Sequence, residues 1–152
     1  MSLNKKALAI LSVGHLITDV NQGAIAALLP YFKENLHLTY TMAGIVLLFS
    51  NLTSSVIQPV FGYLSDRRPI AWFLPAAPLV ACLGMAMTGL VPTYFLLLLC
   101  VIVGGLGIAI FHPEGFKTAH FFTGEKKATG MSSCPENLMG FGWTSLTAVN
   151  RS

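Results

Sequence analysis

The chain has 152 residues, of which 54% are apolar and only 10% are charged, and its formal net charge is +3. This composition excludes an ordinary soluble domain, and so small a basic excess gives no reason to expect a nucleic-acid partner. The three cysteines, Cys82, Cys100 and Cys134, lack the paired spacing of a disulfide framework or a zinc knuckle. We therefore expect a membrane protein without a cofactor or a bound metal.

The apolar residues are gathered into four segments of membrane-spanning length, since about 20 residues cross a bilayer. In chain order they run from about Ala7 to Phe32, Met42 to Leu64, Ile70 to Val91 and Tyr94 to Phe116. The first segment follows two lysines, as a signal peptide would, but it is too long and has no small-residue cleavage site. The sequence predicts an all-α integral membrane protein with four full transmembrane helices.

Positive charges fall mostly on one side of these four segments, which favours a cytoplasmic location for that side. Only Lys33 lies on the other side, so this pattern predicts that the N-terminus is cytoplasmic. The residues on the predicted cytoplasmic side are Lys5, Lys6, Arg67, Arg68, Lys117, Lys126 and Lys127.

A fifth apolar stretch near the end of the chain is a poor candidate for a membrane span. Ser132, Ser133, Pro135, Glu136 and Asn137 interrupt it. We expect residues 1–131 to hold helices one to four with a cytoplasmic loop, and residues 132–152 to form a partial or aberrant fifth helix. Either this stretch is a re-entrant or partly inserted end, or the chain is an incomplete copy of something longer, which is the interpretation we favour.

His15 and Asp19 are one helical turn apart in the first segment and therefore share a helix face. Asp19 lies 13 residues after Lys6, or roughly 20 Å along a helix, which places it near the bilayer midplane. A carboxylate is costly at that depth and usually faces a cavity, a partner or an ion pathway. The sequence therefore predicts a proton or substrate role for His15 and Asp19.

Two further sets of polar residues are candidates for the same pathway. His112 and Glu114 flank Pro113 in the fourth segment, where Glu114 could instead lie at the cytoplasmic interface. Asn51 and Gln58 in the second segment favour a water-lined cavity, although polar residues in membranes also serve helix packing. A membrane-embedded metal enzyme is the rival hypothesis for the histidines and acids, but no HExxH motif supports it.

The loop "GYLSDRR", residues 62–68, follows the second segment and resembles the glycine, aspartate and arginine loop of the major facilitator superfamily. The resemblance implies that Gly62 allows close helix approach and that Asp66 and Arg67 latch the cytoplasmic ends of two transporter halves. This chain departs from the superfamily pattern at Pro69, where a glycine is usual, so a shorter latch is expected.

Three stretches together resemble the fosmidomycin resistance proteins, a bacterial inner-membrane branch of that superfamily. They are "GHLITDVNQGAIAALLP", "NLTSSVIQPVFGYLSDR" and "GGLGIAIFHPEG". The resemblance implies about twelve helices in two halves, of which this chain holds part of the first half and lacks the C-terminal half. It further implies proton-driven export of small molecules across the lipid bilayer and no enzymatic activity. An uptake permease for a small metabolite and a membrane assembly protein without transport are the alternatives.

Overall fold

The computed structural model describes residues 5–67 and 72–123, and every regular element in those ranges is a helix. The helices are α1 (Lys5–Asn35), α2 (Tyr40–Val56), α3 (Gln58–Arg67), α4 (Phe73–Thr88) and α5 (Tyr94–Thr123). The all-α prediction is confirmed for this part of the chain. The fifth stretch of the sequence analysis, with Arg68, Pro69 and Cys134, lies outside the described residues.

Short connections join the helices and fix where they begin. The turn between α1 and α2 includes His37, whose φ of 51° lies in the left-handed region. At the start of α2, the Thr39 hydroxyl accepts a hydrogen bond from the backbone N–H of Met42 at 3.2 Å. This contact satisfies one of the free N–H groups in the first turn of a helix. Thr39 is therefore the N-cap of α2.

The second apolar segment, expected as one helix, is divided at Ile57 into α2 and α3. Pro59 explains the break, because it lacks a backbone N–H and its ring clashes with the carbonyl of the residue four positions earlier. The backbone N–H groups of Val60 and Phe61 both donate to the Ile57 carbonyl, at 3.1 and 3.2 Å. Helical hydrogen bonding therefore resumes directly after the break.

Length and hydropathy identify two candidate membrane spans among the described residues, Tyr40–Arg67 and Tyr94–His120. The helix α4 is apolar but only 16 residues long, and α1 is 31 residues long but contains several polar side chains. The four full spans expected from the sequence thus stay a prediction for α1 and α4.

Helix α5 contacts each of the other four helices and is the centre of the bundle. Its closest neighbour is α4, and glycines permit that approach: a Cβ added at Gly107 would lie 2.6 Å from the Ala77 carbonyl oxygen. Towards the N-terminal end of α5, Leu97 and Val101 pack with Ile25 and Phe32 of α1 in an apolar cluster. The polar residues through which α1 and α5 meet lie nearer the C-terminal end of α5 than this cluster does.

Candidate functional site

His15 and Asp19 form a close pair on α1, in the arrangement that their spacing predicts. The imidazole Nε2 of His15 lies 3.3 Å from Oδ2 of Asp19. The His15 side chain is only 11% exposed and that of Asp19 is 25% exposed. Thr18 lies between them in sequence, is buried, and donates its hydroxyl to the His15 carbonyl at 2.8 Å. The acid therefore has an imidazole partner on its own helix and keeps one partly accessible side.

His112 of α5 completes a cluster with this pair. Its Nε2 lies 3.9 Å from Oδ1 of Asp19, so the two carboxylate oxygens face different histidines. The His15 and His112 rings meet edge to face, with centroids 5.1 Å apart. Helix α5 thus brings His112, which lies 93 positions after Asp19 in the sequence, against the polar face of α1. We refer to His15, Asp19 and His112 as the triad.

Aromatic side chains of α5 surround the His15 ring. The Phe111 ring is 6.1 Å from it and the Phe116 ring is 6.3 Å from it, centroid to centroid. Aromatic rings at these separations prefer tilted or edge-to-face geometry, which both pairs adopt. This packing limits the rotation of the imidazole and keeps its Nε2 directed at Asp19.

The triad has the chemistry of a proton-binding or cation-binding site. A carboxylate between two imidazoles can share or pass a proton, because both kinds of side chain have a protonated and an unprotonated form. Among the described residues, the triad is also a group whose ligand atoms lie close enough to hold a metal ion, all within 4.8 Å of one another. Both possibilities depend on the same three side chains.

Glu114 belongs to a different cluster, nearer the end of α5. Its carboxylate is 13% exposed, and Oε1 lies 3.7 Å from the ammonium of Lys117, one turn along α5. The same ammonium lies 2.7 Å from Oδ1 of Asp66 and donates to the Gly62 carbonyl at 3.1 Å. Lys117 therefore joins α5 to both the middle and the end of α3.

The three residues assigned to the cytoplasmic latch by resemblance have separate surroundings. Asp66 pairs with Lys117, whereas the guanidinium of Arg67 lies over the Tyr63 ring at 4.5 Å. Gly62 faces Pro113, and an added Cβ would meet the proline Cβ at an ordinary 3.6 Å. Sequence reasoning counted Lys117 only as a cytoplasmic charge. The three-residue spacing from Glu114 was the available signal, because such pairs meet on a helix surface.

Asn51 and Gln58 lie on α2 and at the start of α3, away from the contacts that define the triad. Asn51 is exposed, and its carbonyl accepts a hydrogen bond from Ser54 at 3.2 Å. Gln58 is half-buried. The polar contact between α1 and α2 is instead made by Gln22, whose amide donates to the buried Ser54 hydroxyl at 3.4 Å.

A family model of the Major Facilitator Superfamily matches residues 11–145 of the chain. The chain belongs to the major facilitator superfamily. The resemblance inferred from the sequence is confirmed, and the chain is accordingly placed in a family of membrane transporters.

Relatives of this superfamily member cover most of the chain. It is 37% identical over 125 residues to the uncharacterized MFS-type transporter YfnC of Bacillus subtilis and 31% identical over 125 residues to the fosmidomycin resistance protein of Escherichia coli. Each match covers 82% of this chain and 31% of the relative. It is also 26% identical over 132 residues to the riboflavin transporter RibZ of Clostridioides difficile, covering 84% of this chain and 26% of that protein.

The chain thus spans about a third of the length of the first two relatives and a smaller share of RibZ. No solved structure matched it.

Proposed function

We propose that this chain supplies membrane-crossing helices of a proton-coupled transporter that exports small molecules across the bacterial inner membrane. In this proposal α1, α2 with α3, α4 and α5 each cross the bilayer once, and the N-terminus is cytoplasmic. The helices work against further helices, because alternating access requires one repeat to rock against another. The triad carries the coupling proton.

The observation that carries the proposal is the meeting of Asp19 with two histidines between α1 and α5. Ionisable groups within membrane helices are costly, and they commonly mark ion or proton pathways. Asp19 keeps a quarter of its side chain exposed, so its carboxylate is accessible to a proton. A carboxylate that served only helix packing would need neither the second histidine nor that access.

The ion pair between Lys117 and Asp66 supports a second part of the proposal. It joins the end of α3 to α5 where the positive-charge pattern predicts the cytoplasmic surface. We assign Gly62, Asp66 and Lys117 to a contact that holds the cytoplasmic ends of α3 and α5 together, with Arg67 next to it. Glu114, partly screened from solvent, supplies the second carboxylate for Lys117.

Transport assays on the complete protein that contains this chain test the proposal. The protein is reconstituted in vesicles with an imposed proton gradient, and a candidate antibiotic is followed as substrate. We expect substrate to move against the proton flow and to stop moving when a protonophore removes the gradient. Transport that ignores the protonophore would contradict proton coupling. No transport of any tested compound, together with loss of a partner membrane complex in a deletion strain, would favour the assembly protein.

Uptake of a small metabolite is the second candidate, favoured by the relative that is named a riboflavin transporter. The same vesicles distinguish the two directions. In an uptake permease, substrate and protons enter the same compartment, whereas in the proposed exporter they exchange. Riboflavin and an antibiotic are therefore assayed side by side under gradients of either sign.

A further inference from the structure

The ligand atoms of the triad have the identity and spacing of a transition-metal site with one position open. We propose that Nε2 of His15, a carboxylate oxygen of Asp19 and Nε2 of His112 bind one Zn²⁺ ion. Zinc binds the deprotonated forms of these side chains, so the ion and the proposed coupling proton would compete for the same site. The inference stands on the geometry of the triad itself.

The distances between the ligand atoms are close to those of a tetrahedral zinc site. Zinc lies about 2.0–2.1 Å from imidazole nitrogen and about 2.0–2.2 Å from carboxylate oxygen, so two of its ligands are about 3.4 Å apart. His15 Nε2 and Asp19 Oδ2 are 3.3 Å apart, and His112 Nε2 is 3.9 Å from Asp19 Oδ1. All the ligand atoms lie within 4.8 Å of one another. The two histidines face different oxygens of the carboxylate, so the Asp19 or His112 side chain must rotate to bring one oxygen and both nitrogens to the same ion.

The ligand set selects zinc over the common hard cations. Mg²⁺ and Ca²⁺ prefer six or more oxygen ligands, whereas two imidazoles and one carboxylate suit Zn²⁺ and its neighbours in the transition series. Three protein ligands leave a fourth position for water or another small ligand. The partial exposure of Asp19 and His112, 25% and 15%, provides the access that this position needs.

The surroundings of the triad favour a bound cation. The Asp19 carboxylate is three-quarters buried, and a coordinated ion would compensate its charge. Phe111 and Phe116 hold the His15 ring, so the site is partly organised before the ion arrives. The two imidazoles come from different helices, and a bound ion would therefore link α1 to α5.

The sequence alone does not indicate this site, because its ligands lie far apart along the chain. His15 and Asp19 supply two ligands at the four-residue spacing that metal-binding helices use, but the third comes from α5. Only the packing of α1 on α5 assembles the set.

Zinc binding to the purified chain tests the proposal without any proton gradient, so its outcome is independent of the transport assay. The chain is purified in detergent with a tag that contains no histidine, stripped with a chelator, and titrated with Zn²⁺ in a calorimeter. We expect saturable binding of one ion per chain. Asp19→Asn and His112→Gln should each weaken it by about 10- to 100-fold or more, since even the residues that orient metal ligands contribute that much.

The matched control is His37→Asn, which removes a histidine from the exposed turn between α1 and α2 and should bind Zn²⁺ as the unmodified chain does. Circular dichroism confirms that each variant keeps its helices. The proposal is overturned if the unmodified chain shows no saturable binding. It is equally overturned if Asp19→Asn and His112→Gln bind as tightly as His37→Asn.

Cobalt spectroscopy provides a second measurement that does not depend on losing a ligand. In Asp19→Cys, a thiolate replaces the carboxylate, and the longer zinc–sulfur bond of about 2.3 Å offsets the shorter side chain. Co²⁺ should then give a sulfur-to-metal charge-transfer band that disappears when His112→Gln is added. The control is Val20→Cys, one position along α1 and exposed, which should give no band beyond that of the unmodified chain. Equal spectra for Asp19→Cys and Val20→Cys would refute the site.

Discussion

The packing of α4 on α5 gives a prediction whose size follows from the structure. A Cβ added at Gly107 would lie 2.6 Å from the Ala77 carbonyl oxygen and 2.9 Å from the Ala81 Cα, where ordinary contacts begin near 3.4 Å. Both atoms belong to the α4 backbone, so neither can move aside by a side-chain rotation. The Ala81 backbone nitrogen would lie closer still, so helix α4 must move by about 1 Å, which disrupts its packing on α5.

Overpacking of this kind costs about 1–3 kcal/mol, and the better helix propensity of alanine returns up to about 1 kcal/mol. We expect Gly107→Ala to lower the free energy of unfolding by about 1–2 kcal/mol. The matched control is Gly104→Ala on the same helix, whose added Cβ would meet its nearest atom, the Ala81 carbonyl oxygen, at 3.6 Å. It should be neutral or up to about 1 kcal/mol more stable.

The two variants are compared by reversible unfolding of the chain in mixed detergent micelles, followed by circular dichroism. The predicted difference between them is about 2 kcal/mol, with Gly107→Ala the less stable. Equal stability of Gly107→Ala and Gly104→Ala would show that the close approach of α4 to α5 has been placed wrongly.

Three further predictions concern the ends of the helices. Thr39→Ala removes the N-cap of α2 and should lower the free energy of unfolding by about 1 kcal/mol, whereas Thr39→Ser should retain most of it, as measured in the same unfolding assay. Asp66→Asn breaks the ion pair with Lys117 at a side chain that is 68% exposed and leaves the other contacts of Lys117 in place, so the loss should stay below about 1 kcal/mol and shrink at high salt; a larger, salt-independent loss would contradict a screened pair. A reporter fused after Asp66 should be cytoplasmic and one fused at Asn35 external, and the reverse pattern would invalidate the charge-based orientation.

Local features of the fold could be predicted from the sequence. Long apolar segments predicted helices, and the four-residue spacing predicted that His15 and Asp19 share a face, which their 3.3 Å contact reflects. The sequence also contained the cause of the break at Ile57, since Pro59 follows two residues later. The prediction of one helix over residues 42–64 was wrong because it underestimated how strongly Pro59 interrupts the helix.

The contacts between helices could not be predicted in the same way. The approach of His112 to Asp19 depends on the rotation and depth of α5 against α1, which periodicity does not specify. The same limit explains why Glu114 was grouped with His112. The two residues lie within one turn of α5 but point in different directions, so His112 contacts Asp19 and Glu114 contacts Lys117. Likewise, Arg67 and Asp66 are adjacent in sequence but contact a tyrosine ring and a lysine respectively.

The role of Asp19 is the central claim, and counterflow in vesicles tests it most directly. In the complete protein that contains this chain, Asp19→Asn keeps the shape of the side chain and removes its titration. The variant should lose transport driven by a proton gradient but still exchange labelled for unlabelled substrate when no gradient is present. Glu34→Gln, which changes an exposed carboxylate on the same helix, should retain both activities. Gradient-driven transport by Asp19→Asn at the rate of Glu34→Gln would contradict a coupling role for Asp19.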